Sequence, residues 1–392
     1  MVVNYRLKQV GMLGIALVLQ ACSAAIPSLS SPVLTGTHEA SALQLSADDE
    51  KATLPVAMAE FDWFDAARQR PMKVTIWYPI DQDSCLKDEL HQITNIQASQ
   101  KGANKSQAQQ PLCLHPATNT KQTAIFSHGA MGAAKGYQWI GRALAAQGIV
   151  TVGLNHYGES WVYGPEHVRH STVLQFALRP HDATFVLDEL MRRQAEPKSA
   201  LFNMPLNWQH VIAVGHSSGA ATMLALAGVQ YDFTLALTYC QTPIAATDRS
   251  CGYLPPAAVL QQMTLDSQRD FRDPRIKQVI AFDPAMGHLV ERATLSNVSL
   301  PVLVVGSVEN DFLPYAQHAA LYSNNLSNSQ LIALTHGEGH FVYLDPCTHQ
   351  HQALGVSICQ DRVGVERAKV QQQLVPELQR FLRGSAAVAR AL

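Results

Sequence analysis

Apolar positions change their period along the chain, and the changes mark its elements. Residues 72–79 alternate in polarity, the pattern of a strand with one exposed face. From residue 123 onward, short apolar runs recur at 123–127, 148–154, 210–215, 277–282, 302–306 and 330–334. Runs this short and this apolar predict strands covered on both sides. Between them the spacing predicts helices at 137–147, 182–193, 218–229 and 315–325, with a last one over 366–382. Strands alternating with helices imply a mostly parallel sheet with helices on both faces. Sites in such sheets lie at the carboxyl ends of the strands. No repeat or second domain interrupts 54–392, and the longer connection 230–275 is expected to form part of a pocket wall.

The run Val211-Ile212-Ala213-Val214 enters Gly215-His216-Ser217-Ser218-Gly219, and small residues follow at once. Strand, sharp turn and helix in that order make a nucleophile elbow with Ser217 at its apex. Glycines on both sides are needed because the turn brings backbones together and strains the central residue. The amide of Ser218 opens the helix and favours developing negative charge.

The polar stretches carry other information. Arg6 and Lys8 precede an apolar run over 10–19 that closes on Leu19-Gln20-Ala21-Cys22. The run is too short to span a membrane and reads as a signal-peptide core. Its ending resembles a bacterial lipoprotein signal, so residues 1–22 are the expected leader and Cys22 the expected lipid attachment point. Ser23 resembles the outer-membrane sorting variant, which implies an exported protein anchored in the bacterial envelope. Residues 23–53, rich in Ser, Ala, Thr and Pro, read as a flexible tether. Residues 81–122, rich in Gln, Asn, Ser and Lys, read as a surface insertion.

Export makes the six remaining cysteines an expected disulfide framework; fifteen connectivities are open to it, and the simplest joins sequence neighbours as Cys85–Cys113, Cys240–Cys251 and Cys347–Cys359. No C-x-x-C is present, so a zinc ribbon has no support. His349 and His351 lack a third ligand and read as exposed polar residues. The composition is 47% hydrophobic and 15% charged, with a formal net charge of -2 from interspersed charges. A nucleic-acid partner is excluded on that basis.

A serine hydroxyl needs a base, and the base an orienting acid. His340, in His336-Gly337-Glu338-Gly339-His340-Phe341, follows the last strand on a loop that glycines make pliable; His336 is its competitor. His216 is expected to pack or hydrogen-bond locally. The oxyanion requires two amide donors. Ser218 supplies one. Phe126-Ser127-His128-Gly129-Ala130-Met131-Gly132 supplies the other, taken as the amide of Ala130. Trp161 and Tyr163 are candidate pocket residues, and Arg179 and Asp182 are read as capping a helix start.

His128-Gly129, Tyr137, Ile140-Gly141, Leu144-Ala145, Gly148, His156, Arg179-Pro180-His181-Asp182 and Gly215–Gly219 fall on the frame of a known group. Over about residues 60–383 the chain resembles plasma-type platelet-activating-factor acetylhydrolases and bacterial dienelactone-hydrolase-like proteins. The polyester hydrolases are more distant relatives of the same core. The resemblance implies an α/β-hydrolase fold and ester hydrolysis through a serine triad, without metal or cofactor. Two acids stay open. Asp283, in Asp283-Pro284-Ala285-Met286, resembles the acid position of the acetylhydrolases. Asp311 lies near the polyester-hydrolase position but one residue out of frame. The expected activity is that of a serine esterase acting on short-chain acyl esters or short-acyl phospholipids. The alternative is an envelope lipoprotein that uses the fold as a binding scaffold.

Overall fold

The structure is a computed structural model that describes residues 53–81, 111–168, 176–196, 200–267 and 269–389. The leader with Cys22, the tether, and most of the polar insertion with Cys85 lie outside the described residues.

Eight strands form one sheet in the order β1-β2-β4-β3-β5-β6-β7-β8. They are β1 (Val56–Asp65), β2 (Arg70–Pro79), β3 (Thr123–Ser127), β4 (Thr151–Asn155), β5 (Val211–His216), β6 (Ile276–Phe282), β7 (Val302–Ser307) and β8 (Ser329–Leu334). Strand β2 pairs antiparallel with both β1 and β4, and every pair from β4 to β8 is parallel. This order, with the second strand alone reversed, defines an α/β-hydrolase fold.

The apolar runs work because a strand sends alternate side chains to opposite faces. Ala124, Phe126, Ile212, Val214, Ile280, Phe282, Leu303 and Val305 enter one core. Ile125, Val211, Ala213, Val279, Ala281, Val302 and Val304 enter the other. Helices α1 (Gln138–Ala145) and α8 (Arg367–Ala389) cover the first face. Helices α2 (Leu178–Ala195), α3 (Ser218–Leu226) and α7 (Ala319–Asn325) cover the second. Edge strand β8 meets solvent on much of its surface.

The predicted strands recur within three residues of their expected ends, but other features differ. Strand β1 was not anticipated, because its buried positions Phe61, Trp63 and Asp65 occupy only its second half. Helix α2 begins at Leu178, ahead of Pro180. Proline is tolerated there because the first turn has no intrahelical use for its missing N–H. The predicted helix over 315–325 is broken at His318, leaving a short turn before α7. The connection over 230–275 holds α4 (Leu235–Tyr239) and α5 (Ala257–Ser267), and the short α6 (Arg292–Leu295) follows β6. The end of the polar insertion is woven into the fold: Leu112 bridges Phe202, and buried Leu114 bridges Ile80. Disulfides join Cys240 to Cys251 and Cys347 to Cys359. Cys113 is also disulfide-bonded, and its expected partner Cys85 lies outside the described residues. No described helix is long and apolar enough to cross a membrane.

Candidate active site

Ser217 stands between β5 and α3 with φ 56° and ψ −122°. A non-glycine residue there is costly, and its surroundings must hold it. The Ser217 amide donates to the Phe282 carbonyl at 2.9 Å, and its own carbonyl accepts from Ala221 and Ala285, both at 3.1 Å. A Cβ on Gly215 would collide with the Gly219 backbone, and one on Gly219 with the carbonyls of Ser127 and His128. Both glycines are therefore required by close approach.

The loop after β3 lies against this turn. A Cβ on Gly129 would come within 3.4 Å of Ser217 Cβ. Ala130, Ser217 and Ser218 line one cavity of about 70 Å³. Among the described residues, no protein group accepts a hydrogen bond from the amide of Ala130 or Ser218. Much of the remaining lining comes from the connection over 230–275, including Phe233, Tyr253, Leu260 and Met263.

His340 and both candidate acids sit beside the elbow. Asp283 follows β6 at φ 37°, and its Oδ1 accepts from the Ser307 amide at 2.8 Å. Its Oδ2 accepts from Asn310 Nδ2 at 2.8 Å and lies 3.5 Å from His340 Nδ1. Asp311 meets the histidine elsewhere: its Oδ1 accepts from the His340 backbone amide at 2.9 Å. Asp283 and Asn310, whose Nδ2 is 3.4 Å from the same Nδ1, thus face the imidazole, while Asp311 fixes the loop. His336 is exposed on the surface. The His340 ring stacks on Phe312 at 5.1 Å and lies 4.6 Å from the ring of His216. Burial opposes charge on both groups, pushing the His340 imidazole down to about 3 and the Asp283 carboxyl up, while the Ser307 amide favours the carboxylate.

A run of hydrogen bonds joins the three loops, and its proton positions follow from its ends. His216 Nε2 must donate to the His340 carbonyl, at 3.0 Å, because a carbonyl only accepts. Its Nδ1 is then bare and accepts from Tyr137 Oη at 2.8 Å. Tyr137 Oη in turn accepts from the Gly129 amide at 3.2 Å. Burial holds His216 well below the ordinary imidazole value, in keeping with a single ring proton.

Beneath the β3 loop lies a second Ser-His-Asp array. Ser127 Oγ is 2.8 Å from His156 Nε2, and His156 Nδ1 is 2.9 Å from Asp182 Oδ2. All three residues are fully enclosed, and none lines the cavity. Asp182 also accepts from Arg70 at 2.7 and 2.8 Å and from Arg68 at 2.8 Å. Burial opposes its charge, yet His156 and Arg70 hold the carboxyl well below the usual carboxylate range. Arg179 pairs with Glu159 at 2.6 Å and donates to the His128 carbonyl at 2.8 Å. Inside α2, Arg179 is therefore a buried partner of the β3 loop and Asp182 of Arg68, Arg70 and His156; neither is a cap, since the capping position carries no side-chain bond. Trp161 is about half exposed, and Tyr163 Oη donates to the Asn155 carbonyl at 2.8 Å. Neither lines the cavity; β4 and β2 claim the tyrosine. His349 is exposed, and its neighbours Cys347 and Cys359 are bonded to each other.

No family model matches this chain, and neither does any curated protein. Solved structures do. One is a ferulic acid esterase from Streptomyces cinnamoneus, 16% identical over 74% of this chain and 76% of that one, with a TM-score of 0.41. The fold is read from this chain's own strand order.

Removing the Tyr137 hydroxyl would leave His216 Nδ1 and the Gly129 amide buried without partners. Tyr137→Phe is expected to cost about 1–3 kcal/mol in chemical denaturation. An unchanged midpoint would show that the run of bonds does not hold the loops.

Proposed function

We propose that this protein is a serine hydrolase of carboxylic esters. The observation that carries the reading is the meeting, at one end of the sheet, of the strained Ser217 with two unpartnered amides and the His340–Asp283 pair. Ser217 Oγ attacks the ester carbonyl, and its proton passes to His340 Nε2. Asp283 accepts the bond from Nδ1 and stabilises the imidazolium. The amides of Ala130 and Ser218 hold the oxyanion, already oriented before charge develops. His340 then gives its proton to the departing alkoxide, which leaves an acyl group on Ser217. Water, deprotonated by the same histidine, releases the acid.

The narrow, largely apolar cavity favours a short buried acyl chain over a long one. This reading keeps the chain beside the acetylhydrolases and dienelactone-hydrolase-like proteins that its motifs resemble. The leader pattern supports an envelope protein tethered through lipid on Cys22. Fractionation of cells making the full chain should find it with membranes, and Cys22→Ser in the soluble fraction; equal partitioning of the two contradicts the tether.

Hydrolysis of p-nitrophenyl acetate, butyrate and octanoate should fall with chain length, and Ser217→Ala should lose about 10⁴-fold or more in kcat/KM. Because burial lowers His340, its basic form persists below the ordinary imidazole value of about 6.5. The acid limb of kcat/KM should therefore lie below that pH. Activity that survives Ser217→Ala would refute the nucleophile.

Asp283→Asn should lower turnover by about 10³–10⁴-fold, because the amide favours the wrong His340 tautomer. Asp311→Asn should cost about tenfold or less. The reverse order would assign the acid to Asp311.

A further inference from the structure

Behind one wall of the cavity lies a buried polar cluster that this chemistry does not use. His288 lines the cavity among Phe233, Leu260, Met263 and Leu289. Its ring lies flat on Tyr239, with centroids 4.0 Å apart, and edge-on to His318 at 5.3 Å. At the centre is Asp248, whose side chain is wholly enclosed. Its Oδ1 accepts from the Ser250 amide at 2.9 Å and from Ser250 Oγ at 2.5 Å. Its Oδ2 accepts from Tyr239 Oη at 2.9 Å and His318 Nε2 at 2.8 Å.

The protons of this cluster can be placed. The Gly287 amide donates to His318 Nδ1 at 3.2 Å, so that nitrogen is bare and the proton sits on Nε2, facing Asp248. Asp248, His288 and His318 offer ligand atoms within 4.8 Å of one another. A cation would nevertheless need the lone pair at His318 Nε2, which the Gly287 amide denies it. Burial opposes the charge of Asp248, but His318 and Ser250 hold its carboxyl well below the usual range.

His288 is the member left without a bond. Its side chain is 6% exposed, and its Nδ1 stands 3.7 Å from Asp248 Oδ2 with no hydrogen-bond partner. A carboxylate on that side favours the tautomer with the proton on Nδ1. Burial pushes His288 down to about 3, so the ring is neutral and Nε2 keeps its lone pair. The ring edge away from Asp248 then carries an acceptor on a residue that lines the cavity, among mainly apolar side chains.

We propose that His288 determines specificity at this site by accepting a hydrogen bond from a hydroxyl on the acyl part of the ester, which makes hydroxyacyl esters the substrate class. The proposal rests on the hydrolase reading above. An apolar pocket barely distinguishes an added hydroxyl. A pocket built to bond one rejects the analogue that lacks it, because its own polar group is left buried and unpaired. Asp248 is the positioning residue, holding Tyr239 and the His288 tautomer.

The test is pH-stat hydrolysis of methyl butyrate, methyl 2- and 3-hydroxybutyrate and the O-methyl ethers of both, by wild type, His288→Leu and Ser217→Ala. Wild type should hydrolyse at least one hydroxy ester with kcat/KM about tenfold or more above methyl butyrate, with its ether no better than butyrate. Size alone would rank the smaller butyrate first. In His288→Leu the ratio of hydroxy ester to butyrate should fall to about one. The wild-type ranking decides the matter even if that variant does not fold. Equal or faster turnover of butyrate by wild type would overturn the proposal, as would a preference that persists in His288→Leu. Hydrolysis that Ser217→Ala leaves intact, or none by wild type, would overturn the hydrolase reading along with it.

Discussion

The run of hydrogen bonds from the Gly129 amide through Tyr137 and His216 to the His340 carbonyl ties together the loops that meet beside Ser217. It crosses the loops after β3, β5 and β8, and each member has one available role. A carbonyl at one end and an amide at the other leave His216 a single tautomer. Burial, which disfavours a second proton on that ring, keeps the run from reversing. His216 follows as the residue that binds the elbow to its neighbours, and Ser217 occupies its costly conformation because the structure on either side is fixed.

A second layer sits under the first. Glu159 and Arg179 form a buried ion pair whose guanidinium also reaches the carbonyls of the β3 loop. Asp182 gathers Arg68, Arg70 and His156. Such groups are costly to bury and strongly destabilising to leave single. Their arrangement fits a loop whose amides must point at one place without help from their own neighbours. Ser127–His156–Asp182 shares with Ser217–His340–Asp283 both its residue types and the bonding order of a serine triad, and differs in where it lies. The first set is sealed beneath the loop, whereas Ser217 opens on the cavity.

Much of this was legible along the chain, for physical reasons. Period-2 alternation between two cores leaves wholly apolar runs, and those gave strands β3 to β7. Steric necessity leaves glycines, and Gly215 and Gly219 marked the elbow because nothing larger fits. What depends on contacts between distant residues was not legible. Tyr137 and His216 are 79 positions apart, and Asp248 and His318 are 70 apart. Arg179 and Asp182 resemble caps along the chain, because a polar pair beside Pro180 looks the same in sequence whether it faces solvent or a buried partner. The choice between Asp283 and Asp311 is of the same kind. Both lie near His340, one at its ring and one at its backbone, and residue type does not distinguish the two. The cavity wall was anticipated as a segment, but its polar centre at Asp248 was not.

The most direct test of the account is to label the purified protein with a fluorophosphonate and map the modified residue by peptide mass spectrometry. The account predicts one adduct on Ser217, formed fastest where His340 is neutral, and none on Ser127. An adduct on Ser127, or an active esterase in which Ser217 stays unmodified, would contradict it.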